Sequence, residues 1–460
     1  MTDPSRPHAA GDAPDPEGRP PVTRAERRWL VAILAAFVVL SVTYSAVIPL
    51  GYGPDEPRHY AYVKLLMERR LLPRTYPDGR ERDGAIAVHP PLYYAVLGTL
   101  YYPAKALGGA WLAQRVYRLV STGLGVCALV CIWAAARLIV PGRPGLAPFI
   151  AAVAAFTPHF LMDQSIINND AAANAACPFF VWFVLERRRR GWRLRDAAYC
   201  GVLLGLFALL KGQALACLPP VFLTVLACDY GRGFWRRGAF WARAGVGVGL
   251  LAALGGWWYV RNLVLYGQIT YLPTSYRGIP LGMSFVDAWV EGVIPSLALR
   301  AVVGLFQSLW AQIGWFPEGA AAGLYAVLAL LLAVAVGGWI ALLLQRRAGK
   351  PVDLLGRPRE LIALFLTFVV TYGLVFYIAV FQHIGWFQGG RYVLVGLGGF
   401  TTFLALGWQA SVPARFRVAG VAIVLALLLL LNALSLANLA GHLNPTYAPD
   451  TSFWTPIAGT

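Results

Sequence analysis

Two adjacent carboxylates, Asp55 and Glu56, follow a long apolar run in the stretch YGPDEPRHYAYVKLL, residues 52–66. A carboxylate can act as a general base toward an attacking hydroxyl when its surroundings tune its pKa. A carboxylate can also orient a neighbouring acid, or bind a divalent cation that bridges to phosphate oxygens. Because Asp is a common helix-capping residue, PDEP is also compatible with a solvated helix start that has Asp55 as its N-cap.

Further histidine, asparagine and aspartate residues that could contact a ligand lie close to apolar runs. His59 lies four residues after Asp55 and would share a helix face with it, so both could contact one ligand. His89 precedes two prolines that stiffen the chain, and it could contact a ligand or only position the turn. In IINNDA, Asn169 and Asp170 stand at the start of an apolar run, where NND is also an ordinary helix-start signal.

Three isolated cations, Lys211, Arg261 and Arg391, lie at the ends of apolar runs away from the basic clusters of the chain. Unpaired cations at membrane depth are costly and usually functional, although snorkelling to lipid headgroups is an alternative. Arginine can bind phosphate through paired hydrogen bonds. We therefore expect an anionic ligand here, with Tyr392 of QGGRYVLVG among its contacts.

The composition identifies the elements that must position these residues. Of the 460 residues, 58% are hydrophobic and only 13% are charged, and the mean hydropathy is +0.59. Several runs approach the roughly 20 apolar residues that cross a bilayer, which predicts an all-α polytopic membrane protein. The net charge of +17 comes mostly from short basic clusters between apolar runs, which is typical of cytoplasmic loops rather than of a nucleic-acid surface. All six cysteines lie in or beside apolar runs and are interpreted as packing residues.

The basic clusters also indicate the topology. If RAERR is cytoplasmic and every apolar run crosses the membrane, clusters such as RRRRGWRLR lie outside. If residues 91–108 instead lie along the outer surface, five later basic loops become cytoplasmic. This predicts about eleven transmembrane helices, an external loop 51–115 that contains the interfacial helix 91–108, and an external segment 267–320.

The chain is thereby divided into three parts. Residues 1–28 are predicted to be a disordered cytoplasmic tail, 29–440 the transmembrane domain, and 441–460 a short external tail. The first apolar run lacks a convincing small-residue cleavage site, so we interpret it as a retained anchor rather than a signal peptide.

A first span followed by an acidic pair and then by HPPLYY resembles the GT-C glycosyltransferases. These include bacterial relatives of the protein mannosyltransferases and the aminoarabinose transferase that modifies lipid A. IINNDAAANA, GLFALLKGQAL, WWYVRNLVLYG and QGGRYVLVG are similar to further parts of that superfamily, and the resemblance extends over about residues 29–440. Such enzymes often have a soluble external domain after the spans, whereas about 20 residues follow the last predicted span here. The part that recognises the acceptor would then be small, or would be the segment 267–320.

The resemblance implies a GT-C-like bundle, a polyprenyl-phosphate sugar as donor and transfer with inversion at the anomeric carbon. Asp55 would be the general base, and the superfamily places a second acidic residue on another external loop, which here is Asp170. If Asp55, Glu56 and Asp170 converge, a Mg²⁺ or Mn²⁺ ion could bridge them to phosphate oxygens, with Glu56 and Asp170 as the candidate ligands. The sequence leaves open whether a metal takes part.

The predicted function is a glycosyltransferase of a bacterial plasma membrane, with a cytoplasmic N-terminus and an active site facing the exterior. Its acceptor would be a hydroxyl of a cell-envelope glycan or lipid, and its partners would be the lipid-linked donor and membrane lipids, not nucleic acid. The alternative is a transporter or flippase of a lipid-linked saccharide. The sequence disfavours it, because the spans contain few charges at mid-depth and no convincing internal repeat.

Overall fold

The computed structural model describes residues 21–76, 84–140, 143, 145–269, 283–310, 322–350, 358–382 and 384–442. Regular structure in these residues is helical. The α-helices are α1 Arg24–Val47, α2 Glu56–Lys64, α3 Leu92–Gly98, α4 Tyr101–Ile139, α5 Leu146–Ala155, α6 Pro158–Asp163, α7 Asp170–Arg189, α8 Leu194–Ala208, α9 Gly212–Tyr230, α10 Gly238–Tyr266, α11 Phe285–Val290, α12 Val293–Trp310, α13 Ala322–Arg347, α14 Pro358–Tyr377, α15 Leu397–Ser411 and α16 Arg417–His442. Short 3₁₀ segments occupy Phe234–Arg236, Ile384–Gly396 and Ala414–Phe416, and π-helical turns occupy Leu65–Arg69 and Ile378–Gln382.

Nine helical segments within the described ranges are long and apolar enough to cross a membrane. They are Arg24–Val47, Tyr101–Ile139, Gly212–Tyr230, Gly238–Tyr266, Val293–Trp310, Ala322–Arg347, Glu360–Val380, Gly389–Ser411 and Ala414–Gly441. The predicted all-α polytopic class is confirmed, whereas the count of about eleven spans is not. One of the nine, Val293–Trp310, lies in the segment that the sequence predicted to be external.

The predicted interfacial helix 91–108 is divided in the structure. Residues Leu92–Gly98 form α3, and α4 begins at Tyr101 and is kinked at Gly108 and Gly109 before it continues to Ile139. The kink requires glycine because Gly109 has a φ of 66°, in the left-handed region. Continuous apolar composition concealed both interruptions, since hydropathy does not report backbone conformation.

The tyrosines of this stretch form a buried core rather than a headgroup belt. Tyr93, Tyr94 and Tyr101 are each at most 3% exposed, and only Tyr102 is exposed. The ring of Tyr94 stacks on that of Tyr62 from α2, with their centroids 3.8 Å apart. This aromatic core packs α2 and α3 against each other.

The ends of the described chain differ from the predicted tails in one respect. Helix α1 begins at Arg24, after Thr23, whose side chain accepts a hydrogen bond from the amide of Glu26. Residues 24–28 therefore belong to the first helix and not to a disordered tail. Residues 1–20 and 443–460, the rest of the predicted tails, lie outside the described residues.

Close helix packing relies on glycine, as it commonly does in membrane bundles. Helices α8 and α10 approach so closely that a Cβ atom on Gly201 would lie 2.5 Å from the carbonyl oxygen of Gly247. One turn along, a Cβ on Gly255 would lie 2.8 Å from the carbonyl oxygen of Gly205. These contacts position the loop between α8 and α9, which contains Lys211.

Candidate active site

A buried ion pair fixes the loop that follows α1. The carboxylate of Glu56 is fully buried and pairs through both oxygens with Arg118 of α4, at 2.7 Å from Nε and 2.6 Å from Nη2. Glu56 also accepts hydrogen bonds from the amides of Gly51, Gly53 and Ile167, at 3.0, 3.2 and 3.0 Å. The tight turn depends on Gly51, whose φ is +82°.

The hydrogen-bond donors of Arg118 are also all used. The remaining N–H groups of Arg118 donate to the carbonyl oxygens of Ser45, Ile48 and Pro49 at the end of α1, at 2.6 to 2.8 Å. All five guanidinium donors thus have acceptors. The pair of Glu56 and Arg118 thus joins four parts of the chain at one point: the end of α1, the start of α2, α4 and the loop before α7. The geometry therefore favours a positioning role for Glu56 instead of the predicted ligand role.

Asp55 turns its carboxylate away from the helix that it precedes. It occupies the N-cap position of α2 in the left-handed conformation, with φ 58°, and its side chain makes no capping hydrogen bond. Its oxygens accept hydrogen bonds instead from Arg58 Nη1 at 2.8 Å and from Arg391 Nη2 at 2.9 Å. The alternative of an ordinary helix cap does not describe this residue. Strained backbone that directs a side chain to a cation is typical of functional sites.

The surroundings fix the charge of the groups near Asp55. Burial alone would raise the pKa of Asp55, but Arg391, together with His59 and Arg58, lowers it well below its ordinary value. Burial lowers the pKa of His59 from 6.5 to about 3, although Asp55 opposes this shift. Burial also lowers the pKa of His89, whose ring stacks on that of His59 with centroids 5.6 Å apart. At neutral pH Asp55 is ionised and both histidines are uncharged.

A second ion pair lies next to the pair formed by Asp55 and Arg391. The ammonium group of Lys211, at the N-cap of α9, contacts the carboxylate of Asp170, at the start of α7, and both side chains are buried. The ring of Tyr392 lies under both cations, with Lys211 Nζ 5.1 Å and Arg391 Cζ 4.7 Å from its centroid. The Tyr392 hydroxyl is 2.5 Å from Arg391 Nη2. Two acids and two cations thus converge on one aromatic ring, and we call these five residues the paired-ion centre.

Two other predicted residues, His59 and Asn169, lie beside the paired-ion centre. His59 Nδ1 is hydrogen-bonded to the Tyr94 hydroxyl at 2.7 Å, beside Asp55. Asn169 donates from Nδ2 to the carbonyl oxygen of Leu210, next to Lys211, at 3.0 Å.

Arg261 is the exception among the predicted cations. It donates to the carbonyl oxygen of Pro73 and lies over the ring of Trp258, 4.6 Å from its centroid. The structure thus does not bring Arg261 into contact with either ion pair.

Sequence reasoning missed residues that contact or adjoin the centre. Arg58 is the second partner of Asp55, and Arg118 could have been noticed as a lone cation inside an apolar run. His159 and Asp163 lie on α6 and are each 1% exposed. The sequence gives little indication of a functional role for them, because two polar residues at the end of an apolar run are also typical of a helix terminus.

The predicted divalent-cation ligands do not fit a metal site. Glu56 is saturated by Arg118 and backbone amides, and the carboxylate of Asp170 contacts the ammonium group of Lys211. Within the described ranges, His, Cys, Asp and Glu side chains form no group of three or more suited to a metal ion. We therefore derive no chemical step through a metal.

Comparison with known proteins identifies the fold. No family model matches the sequence, and a search of curated proteins finds no match either. Among solved structures, the chain is similar to the archaeal oligosaccharyltransferase AglB from Archaeoglobus fulgidus in complex with an inhibitory peptide and a dolichol-phosphate. The TM-score is 0.53 at 15% identity, over 91% of this chain and 56% of that protein. An oligosaccharyltransferase structure from the same organism with Zn and sulfate matches with a TM-score of 0.51 at 15% identity, over 89% of this chain and 53% of that one.

These similarities confirm the predicted GT-C-like bundle as the fold of the chain. The chain spans little more than half the length of the oligosaccharyltransferases that it matches.

Proposed function

We propose that the protein is a membrane glycosyltransferase that moves a sugar from a polyprenyl-phosphate donor to an acceptor hydroxyl. The observation that supports this most directly is the paired-ion centre, in which Asp55 and Asp170 meet Arg391 and Lys211 around Tyr392. Two cations that converge on one aromatic ring suit a lipid-linked phosphate, and the adjacent carboxylate of Asp55 suits a base. The solved structure of similar fold was determined with a dolichol-phosphate, which is consistent with such a donor.

In this reaction the acceptor oxygen attacks the anomeric carbon of the donor. The bond between that carbon and the phosphate oxygen breaks, and the polyprenyl phosphate leaves with the bonding electrons. Asp55 takes the proton of the acceptor hydroxyl. Arg391 and Lys211 stabilise the charge that develops on the leaving phosphate. Attack from the face opposite the phosphate inverts the anomeric configuration.

The low pKa of Asp55 constrains this mechanism. A carboxylate that shares Arg391 and Arg58 is a weak base, because both guanidinium groups stabilise its ionised form. The donor phosphate competes for the same guanidinium groups. When Arg391 turns to the phosphate, the carboxylate loses part of this stabilisation and its pKa rises, so that proton transfer follows donor binding.

The neutral histidines complete the proposed site without adding charge. His59 and His89 line the Asp55 side of the centre, where an uncharged imidazole can hydrogen-bond to the acceptor or the sugar. We place the site on the outer face of a bacterial plasma membrane, with a cell-envelope glycan or lipid as acceptor. The choice of the outer face rests on the positive-inside bias of the basic loops, and the choice of membrane and acceptor rests on the resemblance of the sequence motifs.

The test is transfer by purified protein incubated with radiolabelled polyprenyl-phosphate sugars and a cell-envelope extract. We expect Asp55→Asn to lower transfer by about 10²- to 10⁴-fold, because general-base catalysis contributes that much, while donor binding persists. The matched control is Glu68→Gln, which neutralises a carboxylate paired with Lys105 away from the centre. Full activity of Asp55→Asn would remove Asp55 from the mechanism. Movement of the donor across vesicles without any glycosidic product would favour the transporter alternative.

A further inference from the structure

A second group of polar side chains is buried behind the paired-ion centre. His159 and Asp163 lie one turn apart on α6, and Asn174 of α7 donates from Nδ2 to Asp163 Oδ2 at 3.4 Å. These three residues, which we call the inner cluster, are each at most 2% exposed. Each has a buried polar atom without a hydrogen-bond partner in the structure, namely His159 Nε2, Asp163 Oδ1 and Asn174 Oδ1.

Hydrogen bonds fix the position of the inner cluster next to the cations. Ser308 joins His159 to the residue before Arg391: its carbonyl oxygen contacts His159 Nδ1, and its hydroxyl accepts a hydrogen bond from the Gly390 amide at 2.9 Å. Asp163 lies within electrostatic reach of Arg391 and Lys211. The unpartnered atoms therefore lie beside the place where a bound phosphate would be held.

The chemistry of the unpartnered atoms indicates the kind of ligand. Buried polar atoms without partners cost free energy, so several of them side by side indicate a ligand or ordered water. Asn174 Oδ1 is an acceptor, and so are Asn169 Oδ1 and Gln213 Oε1 near Lys211 and Tyr392.

His159 Nε2 is a further acceptor, because Nδ1 donates to the Ser308 carbonyl oxygen and burial keeps the imidazole uncharged by lowering its pKa. Burial raises the pKa of Asp163 well above its ordinary value, so its carboxyl group can either donate or accept. A group of acceptors requires a ligand rich in donors, and the hydroxyl groups of a sugar are such donors.

We propose that the inner cluster is the subsite for the glycosyl unit of the donor, and that it selects neutral, polyhydroxylated sugars over sugars with a carboxylate. This inference rests on the proposed function, because it places the sugar next to a phosphate held by Arg391 and Lys211. A sugar carboxylate would face the lone pairs of Asn174 Oδ1 and His159 Nε2 without a donor between them, and this repulsion would exclude it. His159 Nε2 would complete the set of contacts to the hydroxyls.

The experiment compares two probes on the full-length protein in detergent, decaprenyl phosphate and decaprenyl-phosphate glucose. For Asn174→Ala and Asp163→Asn we expect affinity for the glucose-bearing probe to fall about 5- to 100-fold, the range expected when a buried hydrogen bond is lost. Affinity for decaprenyl phosphate should stay within about twofold of wild type, which also shows that the variants fold. The control Thr371→Val alters a buried polar side chain that bonds Cys217 instead and should change neither affinity. Equal losses for both probes, or no loss for either, would overturn the assignment and leave ordered water as the occupant.

The wild-type protein supplies a second measurement that needs no variant. It should bind decaprenyl-phosphate glucose at least about tenfold more tightly than decaprenyl-phosphate glucuronic acid, because a missing hydrogen-bond partner is strongly discriminated against in a buried site. Equal affinities would overturn the selectivity. If the wild type bound neither decaprenyl phosphate nor its glucoside, the proposed function itself would fail, an outcome distinct from a misassigned subsite.

Discussion

Replacement of Glu56 by alanine should destabilise the protein far more than the loss of a surface ion pair. The carboxylate accepts five hydrogen bonds, two from Arg118 and three from backbone amides. Without it Arg118, which is 1% exposed, becomes a buried cation with no counter-charge. Breaking a buried ion pair from one side costs about 3–5 kcal/mol, and the orphaned amides add to this. We expect a loss of at least about 4 kcal/mol, a large part of the usual stability of a folded protein.

The assay is denaturant unfolding in detergent, followed by tryptophan fluorescence. The matched control is Glu68→Ala, because Glu68 pairs with Lys105 at 2.8 Å but its side chain is 30% exposed. That variant should lose less than about 1 kcal/mol, as solvent-exposed ion pairs do. Combining Glu56→Ala with Arg118→Met should restore part of the loss, because the unpaired charge is then removed as well. A Glu56→Ala variant within about 1 kcal/mol of wild type would refute the positioning role.

Two further outcomes follow from the same region. Because His59 has a pKa of about 3 in the folded protein and 6.5 as its ordinary value, only the unfolded chain gains its proton between these pH values. Through His59 alone, the free energy of unfolding should therefore fall by up to about 1.4 kcal/mol per pH unit below pH 6.5. His89 and His159 add to the slope, because burial lowers the pKa of each as well. In pH-dependent denaturation, His59→Gln should reduce the slope by up to about 1.4 kcal/mol per pH unit and leave the rest, and an unchanged slope would contradict the assignment. Gly390→Ala should lower both the melting temperature and donor affinity, since its Cβ would lie 2.5 Å from the Leu309 amide nitrogen. In the same measurements Gly373→Ala, whose Cβ would meet nothing within 4 Å, should behave as wild type, and equal effects of the two changes would contradict the packing argument.

Asp55 and Glu56 show how neighbouring residues in one motif acquire different roles. The sequence predicted Asp55 as the base and Glu56 as a ligand or an orienting group, but nothing in their residue types separates them. The left-handed backbone at Asp55 sends its carboxylate toward Arg391, while the first turn of α2 sends that of Glu56 into the bundle, toward Arg118. That divergence depends on the turn at Gly51 and on where α4 passes.

Arg391 and Arg261 likewise show that the sequence alone does not separate a cation of the site from one outside it. Each is an isolated cation at the end of an apolar run, and the sequence gives no means of ranking them. Only Arg391 contacts an acid of the centre, whereas Arg261 donates to the carbonyl oxygen of Pro73. Such pairing depends on distances between helices and not on the local composition around each residue.

The sequence by itself determined that this is a polytopic helical membrane protein, with its acids and lone cations at the ends of apolar runs. Hydropathy and charge bias are local properties that a single chain displays along its length. Only the tertiary structure decided that Asp55 meets Arg391, a residue 336 positions away, and that His159 and Asp163 stand behind them. Contacts of that separation arise from helix packing, and packing is set by the shapes of many side chains together.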